Sequence, residues 1–438
     1  MPNINTKINI IGAGLAGVET ANFLARYNLK VNLYEMRPIK FDGAHHTDLF
    51  GELVCSNSLK STRLDNACGL LKEEMRTLSS LIMEASQHAS IEGGSSLNVD
   101  REKFAKYITE KITSNPNISI FHEEIKDLNK DELYVVATGP LGSDAIINKI
   151  KEISGDDSLF FFDASAPIIK KESINMNIAY FKSRYDDGPA TYLNCPLSKD
   201  EYYQFVDELV NAKTALIHDF DKNYFEGCMP IEAMAKRGPD TLRFGPLKPK
   251  GLWKNADDHS YAIVQLRQDS LIGDLYNLVG FQTNLTYPEQ KRVFSLIPGL
   301  ENAEFVRYGL MHRNSYICAP KVINPDFSMK NDKNIYIAGQ FSGVEGYVES
   351  ASSGIYVAIM IAKRLLNIDI EYPRFTMLGS LMNYVANASK ENFSPMNANY
   401  SLLYGVNKTN KLLKAEEALN YTKKFYNNFN DSIKAKVS

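Results

Sequence analysis

Two of the five cysteines in this 438-residue chain stand where a thiol could do chemistry. Cys228 precedes Met-Pro-Ile-Glu-Ala-Met-Ala (229–235), which reads as a helix start with proline inside the first turn. A thiol there lies in the positive field of a helix N-terminus, which favours the nucleophilic thiolate. Cys55 sits in a polar Cys-Ser-Asn-Ser run. Cys68, Cys195 and Cys318 read as structural, since a cysteine is more often a small buried hydrophobe than a nucleophile. The five are scattered, odd in number and without a C-x-x-C pair, so neither a disulfide framework nor a zinc site is expected. No cluster of metal-ligand type is visible, and no metal is expected.

A second chemistry is phosphate binding. Gly12-Ala13-Gly14-Leu15-Ala16-Gly17 follows the apolar stretch Ile8–Ile11 and opens a helical pattern through Val18, Ala21, Leu24 and Ala25. A second strand, Lys30–Tyr34, ends at Glu35, 23 residues after Gly12. In such a β-turn-α-β unit Gly12 permits the tight turn and Gly14 lets the backbone approach a pyrophosphate. Gly17 lets helix and strand pack closely, and Glu35 can accept hydrogen bonds from a ribose diol. The helix N-terminus adds N–H groups and a positive dipole end. The plainer alternative is a glycine turn without a ligand.

Near the other end, the strand Asn334–Ala338 meets a glycine-rich loop from Gly339 to Gly346, then a helix expected over Ser352–Leu366. This resembles the far-end segment that closes over FAD in two-segment flavoproteins, with Gly339, Gln340, Gly343 and Gly346 as candidate contacts. Gln340 stands where that pattern usually has an acid. The two glycine-rich segments together favour FAD over NAD as the held cofactor.

These elements imply an α/β fold, a Rossmann-type FAD-binding domain with an inserted mixed α/β domain. The expected division is 1–140 for the first FAD-binding segment and 141–330 for the substrate-facing insertion. Residues 331–438 form the closing segment and C-terminal helices. Within the first part Glu132–Thr138 reads as a buried strand, and the Lys- and Asn-rich tail 405–438 reads as a fraying surface helix. Hydrophobic residues at 44% and charged ones at 23% are those of a soluble globular protein. No transmembrane segment or signal-peptide layout is visible, so a cytoplasmic protein without a membrane partner is expected. The net charge of −3 gives no global attraction to nucleic acid. An RNA partner would need a local patch, for which Lys236, Arg237, Arg243, Lys248, Lys250 and Lys254 are candidates. A solvated face is the alternative.

Longer strings carry a more specific signal. They are Glu-Leu-Val-Cys-Ser-Asn-Ser (52–58), Ala-Cys-Gly-Leu-Leu-Lys-Glu-Glu (67–74), Phe-Asp-Ala (162–164) and Tyr-Leu-Asn-Cys-Pro (192–196). Phe-Glu-Gly-Cys-Met-Pro-Ile-Glu (225–232), Arg-Phe-Gly-Pro-Leu-Lys-Pro (243–249) and Gly-Val-Glu-Gly-Tyr-Val-Glu-Ser (343–350) complete the set. Together, over about residues 5–370, they resemble the folate- and FAD-dependent RNA uridine C5-methyltransferases, the TrmFO family. The resemblance implies that a one-carbon unit from methylenetetrahydrofolate is reduced by the flavin, which NAD(P)H recharges. It implies tRNA as partner, at the T-loop uridine, with a uridine of 23S ribosomal RNA as the second option.

It also places Cys55 near the cofactor and makes Cys55 and Cys228 the catalytic candidates. Uracil C5 is a poor nucleophile until a group adds to C6, and a thiolate can add and leave again. A second group must remove the C5 proton. The helix-start setting favours Cys228 as nucleophile and Cys55 as its partner, or as a second nucleophile; the reverse assignment stays open. His45 and His46 could lie near folate or flavin, or in a surface loop. Arg101 fits a flavin-proximal position or a salt bridge. Competing functions are a small-molecule flavin oxidoreductase and a catalytically silent FAD-binding scaffold.

Overall fold

The computed structural model describes residues 6–92, 94–156, 159–184, 190, 192–215, 229–255, 257–270, 272–391, 393–407 and 409–437. Cys228 lies outside the described residues, so its reading as a nucleophile rests on sequence alone.

Ile8–Ile11 (β1) is buried along its whole length because it forms the middle of a five-stranded parallel sheet. The order is β5-β4-β1-β2-β3, with β2 at Val31–Glu35, β3 at Ile118–His122, β4 at Leu133–Val136 and β5 at Ile335–Ile337. From β1 the chain winds one way through β2 and β3, then crosses to the other side of β1 for β4 and β5. That reversal opens a crevice at the carboxyl ends of β1 and β4. β1, β2, β4 and β5 match their expected positions to within a residue or two, and β3 was not expected.

Helix α1 (Leu15–Ala25) leaves β1 and is buried at ten of its eleven positions. Helices α2 (Ala67–Thr77) and α3 (Arg101–Thr113) are capped by Asn66 and Asp100, whose side chains accept from backbone N–H groups of the first turn. The apolar residues of this layer, from 8 to 150 and again from 316 to 433, form one continuous core. A second core, from Ala166 to Ala303, lies against a six-stranded antiparallel sheet. Its strand order is 180–181, 192–197, 262–268, 275–278, 168–170 and 305–307. The antiparallel ladder of Leu159–Ala164 with Met311–Tyr316 marks where the chain leaves the first core and returns. Helix α4 (Ile231–Lys236) begins one residue later than its sequence suggests, with Pro230 as its N-cap.

Two expectations need correction. The late helix α5 spans Tyr347–Leu366 and starts directly after Gly346, five residues before the expected Ser352. Its first two turns bury Ser350, Ser352, Ser353 and Gly354 alongside Val348 and Ala351, so small polar residues dilute the apolar pattern there. The tail is not a fraying surface helix. Helix α6 (Lys411–Val437) buries Phe425, Phe429 and Ile433 in the first core. Phe429 packs edge-on to Tyr27 at 5.8 Å and beside Phe23 at 6.2 Å.

Phe429→Ala should therefore cost about 3–5 kcal/mol in chemical denaturation. Lys423→Ala, on the exposed face of the same helix, should stay within about 0.5 kcal/mol. A loss below about 1 kcal/mol at Phe429 would detach the tail from the core.

Candidate functional site

The crevice at the sheet's reversal is a cleft of about 1010 Å³. Its walls are the turns that leave β1, β2, β4 and β5, together with Tyr347 and Ser350 of α5. Three glycines of the first turn divide the work. A Cβ on Gly12, whose φ is +100°, would lie 2.6 Å from the Ala137 carbonyl oxygen, and one on Gly17 would lie 1.9 Å from the Gly12 oxygen. Both positions therefore need glycine for backbone packing. Gly14 differs: its φ of −74° suits any residue, and a Cβ there would meet nothing within 4 Å. It faces the cleft.

Several features fit an FAD. No side chain caps α1 or α5, so the N–H groups of two helix N-termini remain for phosphate or ribityl oxygens. Gly354 lets α5 approach so closely that a Cβ would lie 2.2 Å from the Ala16 carbonyl oxygen, which brings the two termini together. The Thr138 hydroxyl, in the cleft wall after β4, is buried without a hydrogen-bond partner and awaits a polar group. Glu35 closes β2 at the cleft, where Oε2 accepts from the Ala13 N–H at 2.9 Å and Oε1 from Arg37 Nε at 3.0 Å. Burial pushes the Glu35 carboxyl up, but the hydrogen bonds and charge of Arg37, with the Ala13 N–H, bring it below its ordinary value. It remains an anionic acceptor suited to a ribose diol.

The expected contacts divide accordingly. Gly12, Gly14, Leu15, Ala16, Glu35, Gly339 and Gln340 line the cleft. Ala13 serves through its N–H to Glu35, and Gly17 through packing. Gly343, with φ +94°, lies against the Phe393 ring, and Gly346, with φ +115°, lies beside Lys60 and Glu349. They shape the loop from behind the wall. Gln340 donates to Glu345 Oε2 at 2.7 Å, so an acid lies five residues beyond the place where the general pattern has one. His45 reaches the cleft and pairs with Asp42 at 2.7 Å, whereas His46 is exposed. Burial raises Asp42, yet His45 and two backbone N–H groups take it down to about 2.

Cys55 is half-buried at the rim, whereas Cys68, Cys195 and Cys318 are buried. Tyr347, in the cleft wall, accepts the Cys55 N–H at 2.7 Å and the Ser56 N–H at 3.1 Å through its hydroxyl oxygen. Three arginines hold the same segment. Arg101 donates to the carbonyls of Leu53 (2.6 Å) and Cys55 (3.2 Å), and pairs with Asp269 of the second sheet at 3.1 Å. Arg307 donates to the Val54 carbonyl at 2.7 Å. Arg267 donates to Ser56 Oγ at 2.7 Å and Asn57 Oδ1 at 2.9 Å. Arg101 is thus a salt bridge and a loop clamp at once. The roles of Tyr347, Thr138, Arg37, Arg267 and Arg307 were not evident in the sequence. Tyr347 lay in a family string and Thr138 at the end of an expected strand, and Arg37 could have been suspected from its place two residues after Glu35.

A parallel sheet with two uncapped helix N-termini, an acid at the end of β2 and a closing segment from the far end of the chain define a Rossmann-type FAD-binding protein. A family model described as Glucose inhibited division protein A matches residues 7–369. The methylenetetrahydrofolate–tRNA-(uracil-5-)-methyltransferase TrmFO of Ligilactobacillus salivarius is 51% identical over 433 residues, covering 97% of this chain and 99% of its own. That of Staphylococcus saprophyticus is 50% identical over 432 residues, with the same coverage. Among solved structures, Aquifex aeolicus GidA superposes with a TM-score of 0.71 at 16% identity, over 98% of this chain and 73% of that one. The chain belongs to the TrmFO family.

Gly14→Val should fold normally yet lose most of its flavin, because a Cβ there meets no protein atom within 4 Å and the side chain enters the pyrophosphate's space. Gly17→Ala should instead fail to fold. Flavin absorbance and thermal melting of the purified variants separate the two outcomes, and a Gly14→Val protein with full flavin would move the phosphate elsewhere.

Proposed function

We propose that this protein transfers a one-carbon unit from methylenetetrahydrofolate to C5 of a uridine in tRNA, at the T-loop, with NAD(P)H as external reductant. The observation that carries this reading is a half-buried cysteine, Cys55, held one hydrogen bond from the wall of the cleft at the sheet's reversal. The names of the relatives, which specify methylenetetrahydrofolate and tRNA, support it. When bound, FAD supplies the electrons that take the carbon from the methylene to the methyl level. A thiolate adds to uracil C6 and makes C5 nucleophilic; a second group removes the C5 proton and the thiolate leaves. Cys55 and Cys228 are the candidates for these two roles. The ribosomal option and a small-molecule oxidoreductase find no counterpart in the relatives' names.

Among the described residues no helix is long and apolar enough to cross a membrane, and no group of three metal-ligand side chains occurs. With tRNA as substrate we place the protein in the cytoplasm and assign it no resident metal. For RNA we assign the surface of Lys236, Lys248, Lys250 and Lys254, all exposed. Phe244 and Trp253 stand exposed among them and offer faces on which a base can stack. Arg243 is less suited than its sequence suggests: its guanidinium stacks 4.0 Å from the Tyr261 ring centre, and Nε donates to the Tyr261 carbonyl.

An RNA carrying 5-fluorouridine at the target should trap a covalent adduct, because fluorine does not leave as a proton does. Cys55→Ala and Cys228→Ala should each abolish methyl transfer with FAD retained, and the one that also loses the adduct is the nucleophile. Full methylation in both would end this mechanism. Lys248→Ala with Lys250→Ala should raise KM for tRNA and flatten the logarithmic salt dependence of binding by about two units, with NAD(P)H-driven flavin reduction unchanged. An unaltered salt dependence would discard this surface.

A further inference from the structure

The clamp on residues 53–57 carries a charge imbalance. Arg101 is neutralised by Asp269. Arg267 and Arg307, from the strands Ala262–Gln268 and Phe305–Arg307, have no carboxylate within ion-pair distance among the described residues; they donate only to carbonyl, hydroxyl and amide oxygens. Burial disfavours the charge on both. A buried cation satisfied by neutral oxygens alone is costly and is retained where an anion is to be met.

The groups facing this point come from both cores. Arg101, Arg267 and Arg307 each feel the charge of the Cys55 sulfur, as does Tyr347, whose hydroxyl burial holds above its ordinary value and so keeps neutral. Tyr192 and Asp269 lie within charge range of Arg267, Glu52 and His46 within range of Arg307, and Arg101 within range of both. Glu52 is already paired with Arg37 at 3.1 Å. Cys55 is the acid that all three guanidiniums share.

We propose that Arg267 and Arg307 are positioning residues that fix the Cys55 loop and supply the counter-charge for a thiolate at Cys55 in the resting enzyme. The proposal rests on reading Cys55 as a chemically active thiol. The step is a simple ionisation: the S–H bond breaks, the proton passes to solvent and the sulfur keeps the electron pair, with two guanidiniums held on the residues that flank it, Val54, Ser56 and Asn57. Because both arginines belong to the second sheet, the ionisation depends on the two cores being docked. A thiol in the first core is made reactive by strands of the other.

The test is iodoacetamide alkylation of the FAD-loaded protein across pH, with the Cys55 peptide quantified by mass spectrometry; neither RNA nor folate is needed. The alkylation midpoint of Cys55 should lie at least about one unit below the ordinary thiol value near 8.5. Arg267→Gln and Arg307→Gln should each raise it by about one unit, and Arg267→Lys and Arg307→Lys should restore most of the shift. A parent midpoint at or above the ordinary value overturns the proposal, whatever the variants do. Equal shifts in the Lys and Gln variants also overturn it, since the arginines would then act by shape and not charge. Loss of methyl transfer in Cys55→Ala alongside an ordinary thiol midpoint would sink this inference alone and leave the proposed function standing.

Discussion

Around the first turn of α1, backbone meets backbone with no side chain between. Gly17 lies on Gly12, Gly12 on the end of β4, and Gly354 of α5 on Ala16; a Cβ at any of the three would lie within 2.6 Å of a carbonyl oxygen. Backbone cannot rotate away as a side chain can, so these contacts fix the separation of two helices and a strand. The consequence is chemical. Two helix N-termini point into one crevice, where their peptide dipoles favour an anion, while Arg37 in the wall is already paired with Glu35 and Glu52. Gly14 alone among these glycines keeps its free face toward the cleft, which separates the cofactor requirement from the folding requirement.

The second core matters through what it reaches. Asp269, Arg267 and Arg307 lie in or beside its sheet, yet all three act on residues 53–57 or on the arginine that holds them. Those bonds are partly buried and run from 2.7 to 3.1 Å, so the loop's geometry is set from both cores at once. Tyr347 ties the same loop to α5. The half-buried cysteine at the cleft's edge thus has its backbone held from both cores and from α5.

What the chain's sequence disclosed follows from how local each feature is. The unit β1-α1-β2 with Glu35 at its end was legible because turn, helix start and acid lie within 28 residues and each has a distinct physical demand. The start of α5 was not. Its buried face is built from Ser350, Ser353 and Gly354, which bury because α1 is close and not because they are apolar. The tail carried its signal at Phe425, Phe429 and Ile433, one turn apart, but lysines and asparagines around them suggested a solvated helix. Arg267 and Arg307 had no local signal. Their importance comes from strand register more than 200 residues away from Cys55, which only the folded chain brings together.

The proposed reaction puts a folate-derived carbon onto a tRNA uridine at the cleft and the Cys55 loop. The most direct measurement supplies the FAD-loaded protein with unmodified tRNA, NAD(P)H and methylenetetrahydrofolate carrying carbon-13 in its methylene group, followed by mass spectrometry of the nucleosides. The expected product is 5-methyluridine in the tRNA with the label in its methyl carbon. Unlabelled tRNA from a protein with full flavin content, while NAD(P)H is still consumed, would contradict it and leave a flavin oxidoreductase instead.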